Sequence, residues 1–156
     1  SWPYRTRAPA CPCPSVISKS IIIKADCATV WSFLTDKDKL ALWFYRAEAN
    51  LADGEDYMLV GTAADGSSEQ KCWGTVQEMV PTSRLVYTFT FAPLAGALTT
   101  VAWTLEEVHG GTRLSLSHEG IEAAAGEAAM GMLLALDAGW DKHIAGLRAA
   151  MGELVD

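Results

Sequence analysis

The chain has 156 residues, half of them hydrophobic and a fifth charged, with a formal net charge of −7. That length buries a core without disulfide or metal staples. The acidity argues against a nucleic-acid partner, which requires a basic surface, and against an anionic membrane surface; no apolar run approaches the roughly 20 residues that span a bilayer.

Taken in order, residues 1–14 hold four of the six prolines, so an extended or disordered N-terminal arm is expected there, followed by a domain from 15 to 156. The arm has positive charge but no apolar centre, unlike a secretory signal. Its Cys11 and Cys13, with Cys27 and Cys72, give no second spaced pair of the kind a structural zinc needs. Reduced thiols are expected, and with them a cytoplasmic location.

Ser15–Lys24 is β-branched and reads as a strand. Asp26 offers an N-cap to a short helix carrying Val30, Trp31, Phe33 and Leu34, and Thr35 or Asp36 offers one to a second helix carrying Leu40, Trp43 and Phe44. From Tyr45 the pattern changes to period two. Tyr45–Leu51, Tyr57–Gly61, Lys71–Val80, Arg84–Phe91, Thr99–Val108 and Thr112–His118 are predicted strands. Turn signals at Asp53-Gly54, Asp65-Gly66, Pro81-Thr82-Ser83 and Gly110-Gly111 separate most of them. The short connections make sequence neighbours into antiparallel partners. Val101, Trp103 and Leu105, then Leu114 and Leu116, then Leu85, Tyr87, Phe89 and Phe91 share one apolar face.

Gly120–Val155 is the one long stretch of helical spacing, with Leu133, Asp137, Trp140, Ile144, Leu147 and Met151 on one side. A single amphipathic helix cannot bury its stripe alone. The fold expected is therefore α+β, in the order β-α-α-β6-α, with a curved antiparallel sheet wrapped around the C-terminal helix. A space between such layers is where a ligand sits.

These stretches resemble a known family. Ala28-Thr29-Val30-Trp31 leading to Leu34-Thr35-Asp36, then Leu42-Trp43-Phe44, Pro81 through Tyr87, Val101 through Leu105, Gly111 through Gly120 and Gly139-Trp140 together are similar to the START-like, or SRPBCC, helix-grip superfamily. Within it they resemble the branch of the activator of heat-shock protein 90 ATPase homologue, over about residues 16–154. The resemblance implies a pocket for an apolar or aromatic small molecule and carries over no catalytic motif, cofactor or metal. The eponymous co-chaperones have a separate N-terminal domain for which this chain has no room, so their chaperone role is not expected to transfer. A homodimer or a chaperone contact is a further expectation.

The pocket walls expected are Trp73, Tyr87, Phe89, Trp103, Leu116, Met130, Leu133, Asp137 and Trp140, with His118 at the mouth. His118, in phase with Leu114 and Leu116, either orients a ligand or moves a proton, or is a core-rim histidine bonded to backbone. Asp137, the one charge on the stripe, needs a partner, and an approach to His118 across the cavity is one candidate. Asp141 and His143 diverge on a helix and make a poor metal pair. Trp31 and Trp140 read as core. A cyclase- or hydratase-like enzyme using His118, Asp137 or Tyr87 is the rival reading, and a protein-interaction module a third.

Overall fold

A computed structural model describes residues 16–62, 64–91, 94 and 97–155; the expected arm, with Cys11 and Cys13, lies outside the described residues. The chain runs β1 (Ile17–Ile23), α1 (Cys27–Thr35), α2 (Lys37–Trp43), β2 (Arg46–Ala47), β3 (Asp56–Thr62), β4 (Ser68–Val80), β5 (Arg84–Phe89), β6 (Thr99–Val108), β7 (Gly111–Glu119), α3 (Ile121–Ala125), a 3-10 turn (Gly126–Ala128) and α4 (Ala129–Val155). The strands form one antiparallel sheet in the order β1-β7-β6-β5-β4-β3-β2. α4, 27 residues long, lies on its apolar face. This is the helix-grip arrangement expected from the order of elements.

Local chemistry explains the two-helix insert. The Asp26 carboxylate accepts from the Thr29 amide at 2.8 Å, and Asp36 accepts from Asp38 and Lys39, so each helix begins on a satisfied carboxylate cap. α1 buries Val30, Phe33 and Leu34, α2 buries Leu40 and Trp43, and the Trp43 indole donates to the Phe33 carbonyl at 2.8 Å. That bond fixes one helix against the other.

Two expectations need correction. The predicted strand Tyr45–Leu51 pairs only at Arg46–Ala47. Beyond it the backbone turns to the helices: Leu51 donates to the Thr35 carbonyl at 2.9 Å, and Asn50 accepts from the Lys37 amide. The predicted continuous helix from Gly120 is broken at Gly126, whose φ is +58, and the long segment starts afresh at Ala129.

The sheet curls because β4 carries two bulges. Its pairing with β3 steps from Leu59–Cys72 to Val60–Gln70, leaving Lys71 without an opposite. Its pairing with β5 steps from Val76–Tyr87 to Glu78–Val86, leaving Gln77 extra. Each extra residue bends the strand and increases its twist. At Gly74, where β4 crosses β5, a Cβ would collide with the Thr88 carbonyl; the approach is closed by the Tyr57 hydroxyl donating to that same carbonyl at 2.6 Å.

The inward face matches the predicted alternation. Val101, Trp103 and Leu105, Leu114 and Leu116, and Leu85, Tyr87 and Phe89 are all buried. The helix stripe that meets them is Leu136, Trp140, Ile144, Leu147 and Met151. Leu136, not Asp137, carries that turn.

Candidate functional site

The first half of α4 does not close fully on the sheet. A cavity of about 180 Å³ remains, lined by Phe44 and Tyr45 after α2, Lys71 and Cys72 of β4, Phe89 and Phe91, and Ala135, Leu136, Gly139, Trp140 and His143 of α4. Six aromatic rings surround it. The Phe44 ring lies 5.4 Å from Trp140 and 4.6 Å from His143, and Phe89 lies 5.8 Å from Phe91 and 6.0 Å from Trp140. Tilted and edge-on contacts of this kind suit the quadrupoles of the rings.

Helical geometry explains the α4 wall. Ala135, Gly139 and His143 follow at intervals of four, so they share one row, beside Leu136 and Trp140. A Cβ built on Gly139 meets nothing within 4 Å. The glycine therefore leaves room in the cavity wall; it does not bring the helix closer to the sheet.

Below the cavity lies a fully buried polar floor. The Trp140 indole N–H donates to His118 Nδ1 at 2.9 Å. Thr99 Oγ1 donates to the Phe89 carbonyl at 2.8 Å and lies 2.7 Å from His118 Nε2. The indole can only donate and the threonine proton is already used, so His118 is the neutral tautomer with its proton on Nε2. Burial pushes its pKa down to about 4. Both nitrogens are committed, and neither is free to move a substrate proton. The Trp103 indole donates to the Tyr87 hydroxyl at 2.9 Å, and burial pushes the Tyr87 phenol far up. Cys72 is buried and its thiol is likewise pushed up, which keeps it protonated and unreactive.

Of the expected walls, Phe89 and Trp140 line the cavity. Tyr87, Trp103, Leu116 and His118 are buried beneath it as core, so His118 is not at a mouth. Trp73 alternates with the buried Cys72 and falls on the opposite face, paired with Met58. Leu133 is partly buried against the core and does not line the cavity. Met130 is 68% exposed. Asp137 does not approach His118: its carboxylate meets Lys19 at 2.7 Å, and Asp141 meets the same ammonium at 2.9 Å. Lys19 occupies the inward phase of β1 and reaches across to these two residues, one helical turn apart, which raise its pKa. An exposed pairing of this kind contributes at most about 1 kcal/mol.

Phe44, Tyr45, Lys71, Cys72, Phe91, Ala135, Leu136, Gly139 and His143 are the walls that pattern reasoning did not select. Phe91 was already in the inward set, and the Ala135-Gly139-His143 row was readable from its spacing. His143 packs edge-on against Phe44 and Tyr45 and diverges from Asp141. Among the described residues no three His, Cys, Asp or Glu side chains are grouped to hold a metal ion, and no helix is long and apolar enough to cross a membrane.

Comparison with known proteins places this geometry. The family model described as Activator of Hsp90 ATPase homolog 1-like protein matches residues 24–152. No curated protein matches the chain significantly. Among solved structures, protein MLL2253 from Mesorhizobium loti superposes with a TM-score of 0.71 at 20% identity, over 89% of this chain and 98% of that one. Protein CV1439 from Chromobacterium violaceum gives 0.67 at 24%, over 88% and 97%. CalU16 from Micromonospora echinospora gives 0.64 at 23%, over 85% and 71%. At these identities the likeness is one of fold.

Proposed function

Because the chain belongs to the activator of Hsp90 ATPase homologue 1-like family, we propose that it is a binding protein for a small aromatic or apolar molecule, held between the sheet and α4. The observation that carries this reading is the ring-lined cavity of about 180 Å³ with a glycine in its helical wall. A volume of roughly 150 Å³ lined by apolar side chains stays dry and takes benzene, whereas drug-sized ligands occupy about 300 Å³ or more. The ligand is accordingly a small one, of one or two rings. The enzyme reading has less support, because His118 has no free nitrogen and Asp137 is engaged with Lys19.

Gly139 offers the sharpest test. In a helix interior glycine is less stable than alanine by about 1 kcal/mol, and here an alanine Cβ has space. Gly139→Ala is expected to stabilise the fold by about that amount and to weaken ligand binding, and Gly139→Leu to abolish binding with the fold retained. The expected outcome of native mass spectrometry on the purified protein is a co-purified small molecule. That ligand, added at 100 times its dissociation constant, is expected to stabilise the wild type by about 2.7 kcal/mol. Gly139→Leu binding as tightly as wild type would remove the cavity from the explanation.

One observation favours an interaction role as well. Met130 and Leu134, one turn apart on α4, are 68% and 66% exposed, so two large apolar side chains on one helix face lie uncovered. A homodimer through it would show as a doubled mass in light scattering, halved by Leu134→Glu.

A further inference from the structure

Regular β-structure cannot aim consecutive residues at the same face, yet Lys71 and Cys72 both line the cavity. The bulge accounts for it. Lys71 is the residue left without an opposite on β3, and an extra residue of this kind re-aims its side chain. A second feature holds it there: the aliphatic stem of Lys71 lies over Gly61, where a Cβ would sit 2.7 Å from Lys71 Cε and 3.0 Å from Cγ. The strand thus gives up a residue pair, and Gly61 a side chain, where a lysine joins the lining of a largely aromatic cavity.

The surroundings make that charge available. Lys71 Nζ is paired with Glu69 at 2.7 Å, with the two side chains 28% and 49% exposed, and an exposed pair of this sort is exchanged at little cost. Tyr45 stands beside it; burial raises the phenol's pKa while the Lys71 charge pulls it down. Its hydroxyl has no hydrogen-bond partner among the described residues. A lysine and a tyrosine close enough to interact electrostatically, both hydrogen-bond donors, thus belong to the lining of a cavity whose other walls are rings and small or aliphatic side chains. Charged and hydroxyl donors of this kind bind an anionic oxygen more strongly than a neutral one.

Resting on the binding reading above, we infer that the ligand is an aromatic anion: one or two fused rings seated among Phe44, Phe89, Phe91 and Trp140, with a carboxylate or comparable anionic group on Lys71 Nζ and Tyr45 Oη. Glu69 swings to solvent when the ligand's anion takes its place.

The test is calorimetric titration of the whole chain with 2-naphthoate and with its uncharged isostere 2-naphthamide. Wild type is expected to bind the acid at least about tenfold more tightly than the amide. Lys71→Met is expected to erase that preference by weakening the acid and sparing the amide. Gly61→Ala, which displaces the Lys71 stem without touching the charge, is expected to reduce the preference in the same direction. Equal affinities for acid and amide on wild type, or a Lys71→Met variant that weakens both alike, overturn the inference while leaving the binding reading intact. Binding of neither probe overturns both.

Discussion

Trp140→Ala is expected to lower the unfolding free energy by about 3–5 kcal/mol, the range for deleting a large buried aromatic ring. Trp140 is 3% exposed and packs against Trp103 at 5.6 Å, Phe44 at 5.4 Å and Phe89 at 6.0 Å. Its removal also takes the donor from His118 Nδ1, leaving a buried acceptor unsatisfied at about 1–3 kcal/mol. Trp140→Phe separates the contributions, since it keeps most of the ring contacts and loses the hydrogen bond. Urea titrations of the three proteins read the ordering wild type, phenylalanine, alanine. A midpoint for Trp140→Ala equal to that of wild type would exclude Trp140 from the core. Domains are stable by only about 5–15 kcal/mol, so this one ring decides a large part of the total.

The second large effect is on pH. The His118 imidazole is held neutral, with a folded pKa of about 4 against 6.5 for an ordinary histidine. Above pH 6.5 the folded and unfolded chains are both neutral at this site, and the full stability is present. As pH falls from 6.5 towards 4, only the unfolded chain takes the proton, and stability declines. A difference of this size amounts to about 3 kcal/mol. Below 4 the folded state is protonated too, the bond from Trp140 is lost, and the decline from this group levels off. His143, also depressed by burial, acts in the same direction. The direct check is a carbon-13 titration of the His118 ring, with the midpoint near 4; a midpoint near 6.5 would mean the ring is solvated. His118→Asn should flatten the acid limb between pH 6.5 and 4.

Much of the sheet was legible because its code is short-range. Alternation fixed the inward residues of β5, β6 and β7, and tight-turn residues separated most of the strands. The helix caps at Asp26 and Asp36 were equally local. What the pattern could not supply was geometry that depends on a partner strand. The bulge at Lys71 leaves no mark in composition, so the one cation of the cavity was read as ordinary alternation, and Trp73 was placed on the wrong face. The helix stripe was off by one position at Asp137. A carboxylate there is tolerated because Lys19, more than a hundred residues earlier, comes alongside it, and no local window contains that information. His118 was correctly recognised as inward-facing, but its role depended on Thr99 and Trp140 meeting it from two other elements.

The pairing of β1 with β7 bears on the order in which the chain assembles. β6 and β7 meet across a two-residue turn, whereas Ser20 and Ser115 face each other from 95 positions apart. Closing a loop of that length is entropically worse than closing the hairpin by about 3 kcal/mol. The hairpins from β3 to β7 are therefore expected to come together first, with β1 docking onto a preformed edge. α4 then clasps that edge, through Lys19 with its two aspartates and through Arg148 on the Ile22 carbonyl at 2.8 Å. The latch between the chain's first strand and last helix is accordingly expected to form last. It is equally the first to open, so the amides of β1 should exchange ahead of those in β5 and β6.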